Sequence, residues 1–221
     1  MALNPAQAAV PRSRLDATFE RYWVEMSARA DGMRTGLRSY KDYTPYELRT
    51  VGALARLGQP ARAHAMLDFF FEDQRPAGWN QWAEVVLPDA REVRFLGDMP
   101  HAWVSSDYIR SALDLLAYDD ERDHSLVLGA GLKAAWLQQG DVVLRGLSTP
   151  YGKLDWSLRR TASGWQLELP SKMSGLHGGA RLRWPEGLAL PRALHQGHAL
   201  AWQGRELALP FAPLKVELLL E

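Results

Sequence analysis

The spacing of apolar residues changes character along the chain. Up to about Asp120 they recur at helical intervals; beyond it they alternate or gather in short runs between glycines and prolines. Leu15, Phe19, Tyr22, Trp23, Met26 and Ala30 form one stripe, which predicts an amphipathic helix ending near Gly32. Ser13 and Asp16 resemble a capping box at its start. A second helix is predicted over 45–57, its inward side carrying Leu48, Val51, Leu54 and Ala55. Gly58 is placed to take the left-handed conformation that closes it, and Pro60 to open a third helix whose Ala63, Met66, Leu67, Phe70 and Phe71 share a face. So short a joint makes the two an antiparallel hairpin. A fourth helix over 101–118 turns Val104, Tyr108, Ala112, Leu115 and Leu116 inward and leaves Asp107, Arg110, Ser111 and Asp114 on the opposite, polar side. The charged run "YDDERDH" at 118–124 reads as a solvated link.

From Ser125 onward the runs "SLVLGAG", "DVVLRGL", "GKLDWSLRR", "GWQLELP", "ARLRWP", "HALAW", "ELALP" and "LKVELLL" read as short strands between turns. Asp155, Ser157 and Arg159 alternate with Leu154, Trp156 and Leu158, and "WQGRE" reads as a hairpin turn centred on Gln203 and Gly204. An antiparallel β-sandwich of about seven or eight strands is the simplest solution, with "LKAAWLQQG" as a short helix before it. The expected class is therefore α+β in two domains, a helical one over 1–123 and a β-sandwich over 124–221.

Composition narrows the functions open to such a chain. Lys plus Arg equals Asp plus Glu at 26 each, so no net field draws it to nucleic acid or to an anionic membrane, and neither is expected as a partner. Cysteine is absent, which excludes disulfides and thiolate metal sites. The start, "MALNPAQAAVPRSR", reads as neither signal peptide nor anchor, and no stretch approaches the roughly 18 apolar residues of a membrane span. A soluble chain is expected, its compartment left open. The glycine-rich "SKMSGLHGGA" lacks a P-loop lysine and a dinucleotide fingerprint, so it reads as a loop and no cofactor is expected.

The candidate chemistry lies between the third and fourth helices, in "RPAGWNQWAEVVLPDAREVRFLGDMPHAWVSSDYIR". Long connections inside compact domains are usually functional or disordered, and three tryptophans here argue against disorder. Glu84, Asp98, His101 and Asp107 stand out among the aromatics Trp79, Trp82 and Trp103. Each has a plainer role open to it: Asp98 as the cap of the fourth helix, His101 as a half-buried histidine on a backbone carbonyl, Asp107 as a solvated acid, and the tryptophans as core. Glu84 is harder to place among Trp82, Val85, Val86 and Leu87, where a carboxylate must find donors or give up its charge. Asp98 with His101 matches no recognised metal motif, so no metal is expected, and no G-x-S-x-G elbow occurs. Carbohydrate chemistry remains, since indole faces stack on sugars and glycosidic cleavage uses two carboxyl groups.

"AGWNQWAEV", then "GDMPHAWVSSDYIRSALDLLAY", then "GDVVLRGLSTPYGKLDWSL", resembles the end of the catalytic toroid and the C-terminal β-sandwich of six-hairpin glycosidases, in particular the α-L-rhamnosidase-like bacterial enzymes. The resemblance runs from about Pro45 to the C-terminus. It implies the closing hairpins of an incomplete α/α toroid followed by the family's last β-domain. It further implies an inverting glycoside hydrolase with Glu84 as general base, and Trp79, Trp82, Asp98, His101, Trp103 and Asp107 around the sugar. "WNQWA" stands where the family has small residues, and Pro100 where it typically has asparagine, which leaves the sugar open. No stretch matches the family's general acid, so the chain is expected to be inactive alone and to present an uncovered apolar face to a missing half or partner chain. The alternatives are a non-catalytic carbohydrate-binding protein and a subunit-interaction module.

Overall fold

A computed structural model describes residues 10–37, 44–85, 87, 91, 93, 96–170 and 172–220. The chain mixes helix and sheet, as expected of an α+β protein, and divides into two compact units, Met1–Asp114 and Leu115–Glu221. No helix among the described residues is long and apolar enough to cross a membrane.

The first unit is helical. Helix α1 (Arg12–Arg34) buries Leu15, Phe19, Met26 and Ala30 along the expected stripe. It begins one residue before Ser13 and runs past Gly32, and its N-cap is Pro11, whose ring offers no side-chain acceptor. The capping box does not form: Asp16 pairs instead with Arg12 at 2.8 Å. Arg12 also donates to the Leu57 carbonyl at 2.6 Å, tying the start of α1 to the end of the next helix. A 3-10 turn (Pro45–Leu48) leads into α2 (Arg49–Arg56), in which Val51, Leu54 and Ala55 are fully buried.

Gly58, at φ +77°, closes α2 in the conformation expected of it. Its N–H reaches the Ala55 carbonyl at 3.0 Å and that of Gln59 reaches Leu54 at 2.9 Å, the paired bonds of a Schellman cap. Pro60 then opens α3 (Pro60–Glu72), which packs against α2 as a hairpin. Phe69 takes the buried place expected of Phe71, which is half exposed.

Helix α4 (Ala102–Leu116) departs from the expected division of its faces, because Ser111 and Asp114 are buried. Arg49 holds Asp107 at 2.7 Å and Arg56 holds Asp114 at 2.8 Å, while the Ser111 hydroxyl donates to the Leu48 carbonyl at 2.8 Å. The polar side of α4 is thus a seam against α2, closed over Gly52, where a Cβ would come within 2.6 Å of Asp114 Oδ2.

The second unit starts at Leu115, ahead of the tract expected to be a link, and its first strand takes in that tract's first three residues. Strands β1 (Ala117–Asp120) and β2 (Ser125–Leu128) pair antiparallel, and only the four residues between them form the exposed turn. Asp120 is buried because Arg122 and Arg181 both grip its carboxylate, which holds its pKa below the usual range. After the short helix α5 (Ala134–Gln139) come β3 (Val142–Thr149), β4 (Gly152–Thr161), β5 (Gly164–Leu169), β6 (Ala180–Arg183), β7 (Arg192–His195), β8 (His198–Leu200), β9 (Trp202–Gln203), β10 (Glu206–Leu209) and β11 (Leu214–Leu219).

They make a five-stranded sheet, ordered β1-β2-β6-β10-β9, and a six-stranded sheet, ordered β3-β4-β5-β11-β7-β8. Every pairing is antiparallel except β2 with β6. Leu126, Leu128, Leu182 and Leu207 of the first sheet share one apolar core with Leu154, Trp156, Leu167 and Val216 of the second. Gln203 pairs with Glu206, so the last tight turn is Gly204 and Arg205, one residue later than expected.

Candidate functional site

Helix α3 ends at Glu72, and the next helix, α4, starts at Ala102. Of the tract between them, residues 86, 88–90, 92, 94 and 95 lie outside the described part. Its first anchor is Trp82. The ring is buried, its indole N–H donates to the Phe70 carbonyl at 2.9 Å, and it stacks edge-on with Phe71 and tilted against Tyr108. Trp82 therefore acts as a core pillar rather than a platform for a ligand. Ala83 beside it is fully buried among Met33, Leu96 and Met99.

Glu84 comes next, with its backbone fixed on both sides. Its N–H donates to the Asp98 carbonyl at 3.0 Å, and its own carbonyl accepts from the Thr44 hydroxyl at 3.1 Å. One residue further, the Gly97 N–H donates to Val85 at 2.9 Å. Two stretches of the tract thereby lie side by side. A Cβ at Gly97 would stand 3.2 Å from Glu84 Cβ and 3.5 Å from Glu84 Oε2, so the absent side chain lets the Glu84 side chain lie close against the tract.

The chain then passes Asp98 and Pro100 to His101, whose N–H donates to Trp82 at 3.2 Å. The His101 carbonyl accepts from Ser105 in the first turn of α4, so His101 rather than Asp98 stands at the helix start. Asp98, placed by sequence as the cap, leaves its carboxylate exposed.

These turns bring together side chains that the sequence separates. Glu84, Asp98 and His101 each present one oxygen or nitrogen within 4.8 Å of the others. The Tyr46 hydroxyl meets His101 Nε2, and the two rings stand edge-on at 5.3 Å. Trp103 lies 6.0 Å from the His101 ring and 6.4 Å from that of Tyr46, and it is exposed. Asp107 belongs to the same neighbourhood, but Arg49 neutralises it. Trp79 is exposed at the head of the tract.

Burial first, then the charge of Glu84, holds the Tyr46 phenol above the ordinary range; Arg49 acts the other way, and Asp107 and Asp98 add to the rise. Among the described residues, no side chain donates to the carboxylate of Glu84 or Asp98, and none forms an ion pair with either.

The site therefore offers one half-buried and one exposed carboxylate, an oriented imidazole, a neutral phenol and an open indole face. Such a set can take a proton from water, hold a cation or stack a sugar ring. Sequence reasoning missed Tyr46 and Arg49. Tyr46 lies 55 positions from His101, on the turn leading into α2, and nothing local marks it.

A hollow of about 540 Å³ lies on the outer side of the six-stranded sheet, lined by Gln166, Glu168, His195, Lys215 and Glu217 among others. Comparison with protein-family descriptions, with curated proteins and with solved structures gives no match to this chain.

Proposed function

We propose that the helical unit is the closing, general-base side of an incomplete α/α toroid in an inverting glycoside hydrolase. Glu84 is the base in this reading. The supporting observation is a carboxylate whose backbone is fixed on both sides while, among the described residues, no side chain donates to its oxygens, close to His101, whose ring lies 6.0 Å from the exposed indole of Trp103. Glu84 removes a proton from a water, the water oxygen bonds to the anomeric carbon, and the bond to the leaving oxygen breaks on the opposite face. The acid that protonates the leaving oxygen belongs to a missing half or a partner chain, roughly 6.5–9.5 Å from Glu84 as inversion requires. Trp103 and Trp79 supply stacking faces, while His101 and Asp98 bond sugar hydroxyls. Asp107 acts at one remove, by fixing Arg49.

A base without its acid can still be tested, because a leaving group of low pKa departs unprotonated. Glycosyl fluorides and 2,4-dinitrophenyl glycosides of a panel of common sugars are the substrates of choice. At least one should be hydrolysed by the chain, and Glu84→Gln should lower that rate by about 100-fold or more, the span of a general base. A panel that is neither hydrolysed nor bound ends the hydrolase reading.

The hollow on the six-stranded sheet supports the alternative of a non-catalytic carbohydrate-binding protein. In that case binding survives Glu84→Gln and is lost with Glu168→Ala.

A further inference from the structure

The cluster of Glu84, Asp98 and His101 has a property that sugar chemistry does not require, and from it we propose that these three side chains bind one first-row divalent cation, Zn²⁺ or Mn²⁺. The inference goes beyond the hydrolase reading and holds whether or not the substrate is a sugar.

Charge is the first argument. Elsewhere in the helical unit an acid that leaves water is met by an arginine: Asp107 by Arg49, Asp114 by Arg56 and Glu47 by Arg29. The half-buried Glu84 has no such partner among the described residues, and an oxygen of the exposed Asp98 lies within 4.8 Å of its carboxylate. Two like charges held that close repel, and a cation between them reverses the sign of the interaction.

Fixation is the second. The backbone bonds between Glu84 and Asp98 and between Gly97 and Val85 hold the carboxylates together, and the bond from His101 to Trp82 places the imidazole. Metal bonds of about 2.0–2.2 Å put two ligands of one ion roughly 3–4.4 Å apart, so atoms already within 4.8 Å need only small side-chain rotations to close on it. Tyr46, on Nε2 of His101, orients the ring as outer-shell partners of ligating histidines do.

The donor set names the class of ion. One nitrogen and two carboxylate oxygens suit zinc and manganese, whereas calcium and magnesium favour shells made of oxygen alone. Three protein ligands, one of them exposed, leave positions open for water. Glu84 as a monodentate ligand keeps its second oxygen toward that water.

The test uses the full, untagged chain, freed of metal with a chelator and titrated in a calorimeter with Zn²⁺, Mn²⁺, Ca²⁺ and Mg²⁺, with no sugar present. One equivalent of Zn²⁺ or Mn²⁺ should bind, more tightly than Ca²⁺ or Mg²⁺. His101→Asn, Asp98→Asn and Glu84→Gln should each weaken binding about tenfold or more, and Tyr46→Phe, which removes no ligand, should also weaken it. Gly97→Val keeps every ligand while pressing on Glu84, so it should weaken uptake too. Metal-free circular dichroism must match the parent for each variant scored, and a variant that does not fold is replaced in the set by Tyr46→Phe or Gly97→Val.

The competing site is the imidazole pair His124 and His177 in the other unit, 6.5 Å between ring centroids. Binding that survives the His101 and Asp98 variants but disappears in His124→Asn/His177→Gln overturns the inference, as does failure to bind either ion. Hydrolysis of an activated glycoside by chelator-treated protein that takes up no metal would support the hydrolase reading alone. Uptake without hydrolysis would support this inference alone.

Discussion

At Asp73, burial outweighs the neighbouring Arg75 and lifts the carboxyl pKa to about 6, above the value of about 3.9 in an unfolded chain. A raised pKa means that the folded state holds its proton more tightly. The contribution to stability is therefore fully present below about pH 4 and is lost as pH rises through about 6. Asp73→Asn cannot ionise, so it should lack that slope and be more stable than the parent above pH 6. Solvent still reaches and screens this partly buried carboxyl, so the expected gain is about 1 kcal/mol rather than the full value of the shift. Urea unfolding of both proteins at several pH values between 4 and 7 measures it, and parallel profiles would show that Asp73 titrates normally. The residues of the candidate site illustrate how far single positions could be read from sequence. Glu84 is identifiable as an acid in an apolar stretch. That Asp98 and Thr44 engage its backbone while, among the described residues, no side chain donates to its carboxylate is shown only by the fold.

At the scale of elements, the apolar stripes of α1 and α2 and the join between α2 and α3 follow the sequence closely, because Gly58 and Pro60 act on the backbone locally. The polar side of α4 does not. A charged helical face in water and one matched by arginines 58 positions earlier have the same sequence pattern, so Asp107 and Asp114 read as solvated. The seam makes sharp demands. Gly52→Ala would press a methyl group onto the Asp114 carboxylate and Ser111, costing about 2–3 kcal/mol by overpacking. Arg56→Met leaves Asp114 buried and unpaired, at about 3–5 kcal/mol, whereas Arg56→Met with Asp114→Leu should recover most of that loss. Chemical denaturation of these proteins together with Asp114→Leu alone checks the seam, and additive losses in the double variant would show that the two side chains do not act as a pair.

For the whole molecule, the informative fact is that the apolar core of the second unit draws all its buried members from Ala117 onward, with Leu116 packed against them. The expected boundary, after Asp123, would have cut β1 from this sheet. The charged turn hid the strand, because Tyr118 to Asp120 lie among acids, and Arg181, which joins Arg122 in holding Asp120, sits far along the chain. A fragment of residues 115–221 should therefore fold alone, with a cooperative thermal transition and a β-type circular dichroism spectrum. It contains none of Tyr46, Glu84, Asp98, His101 and Trp103, so it also separates the functional readings. Under the hydrolase and cation proposals the fragment neither cleaves an activated glycoside nor shows the zinc or manganese affinity of the full chain. If it binds the same sugar as the full chain with equal strength, recognition belongs to the hollow lined by Glu168 and Lys215, and the aromatics of the tract have no part in it. If sugar binding needs the full chain and is lost with Trp103→Ala, the exposed indole beside His101 is the stacking face, and Glu84 is the carboxylate placed to act on what it holds.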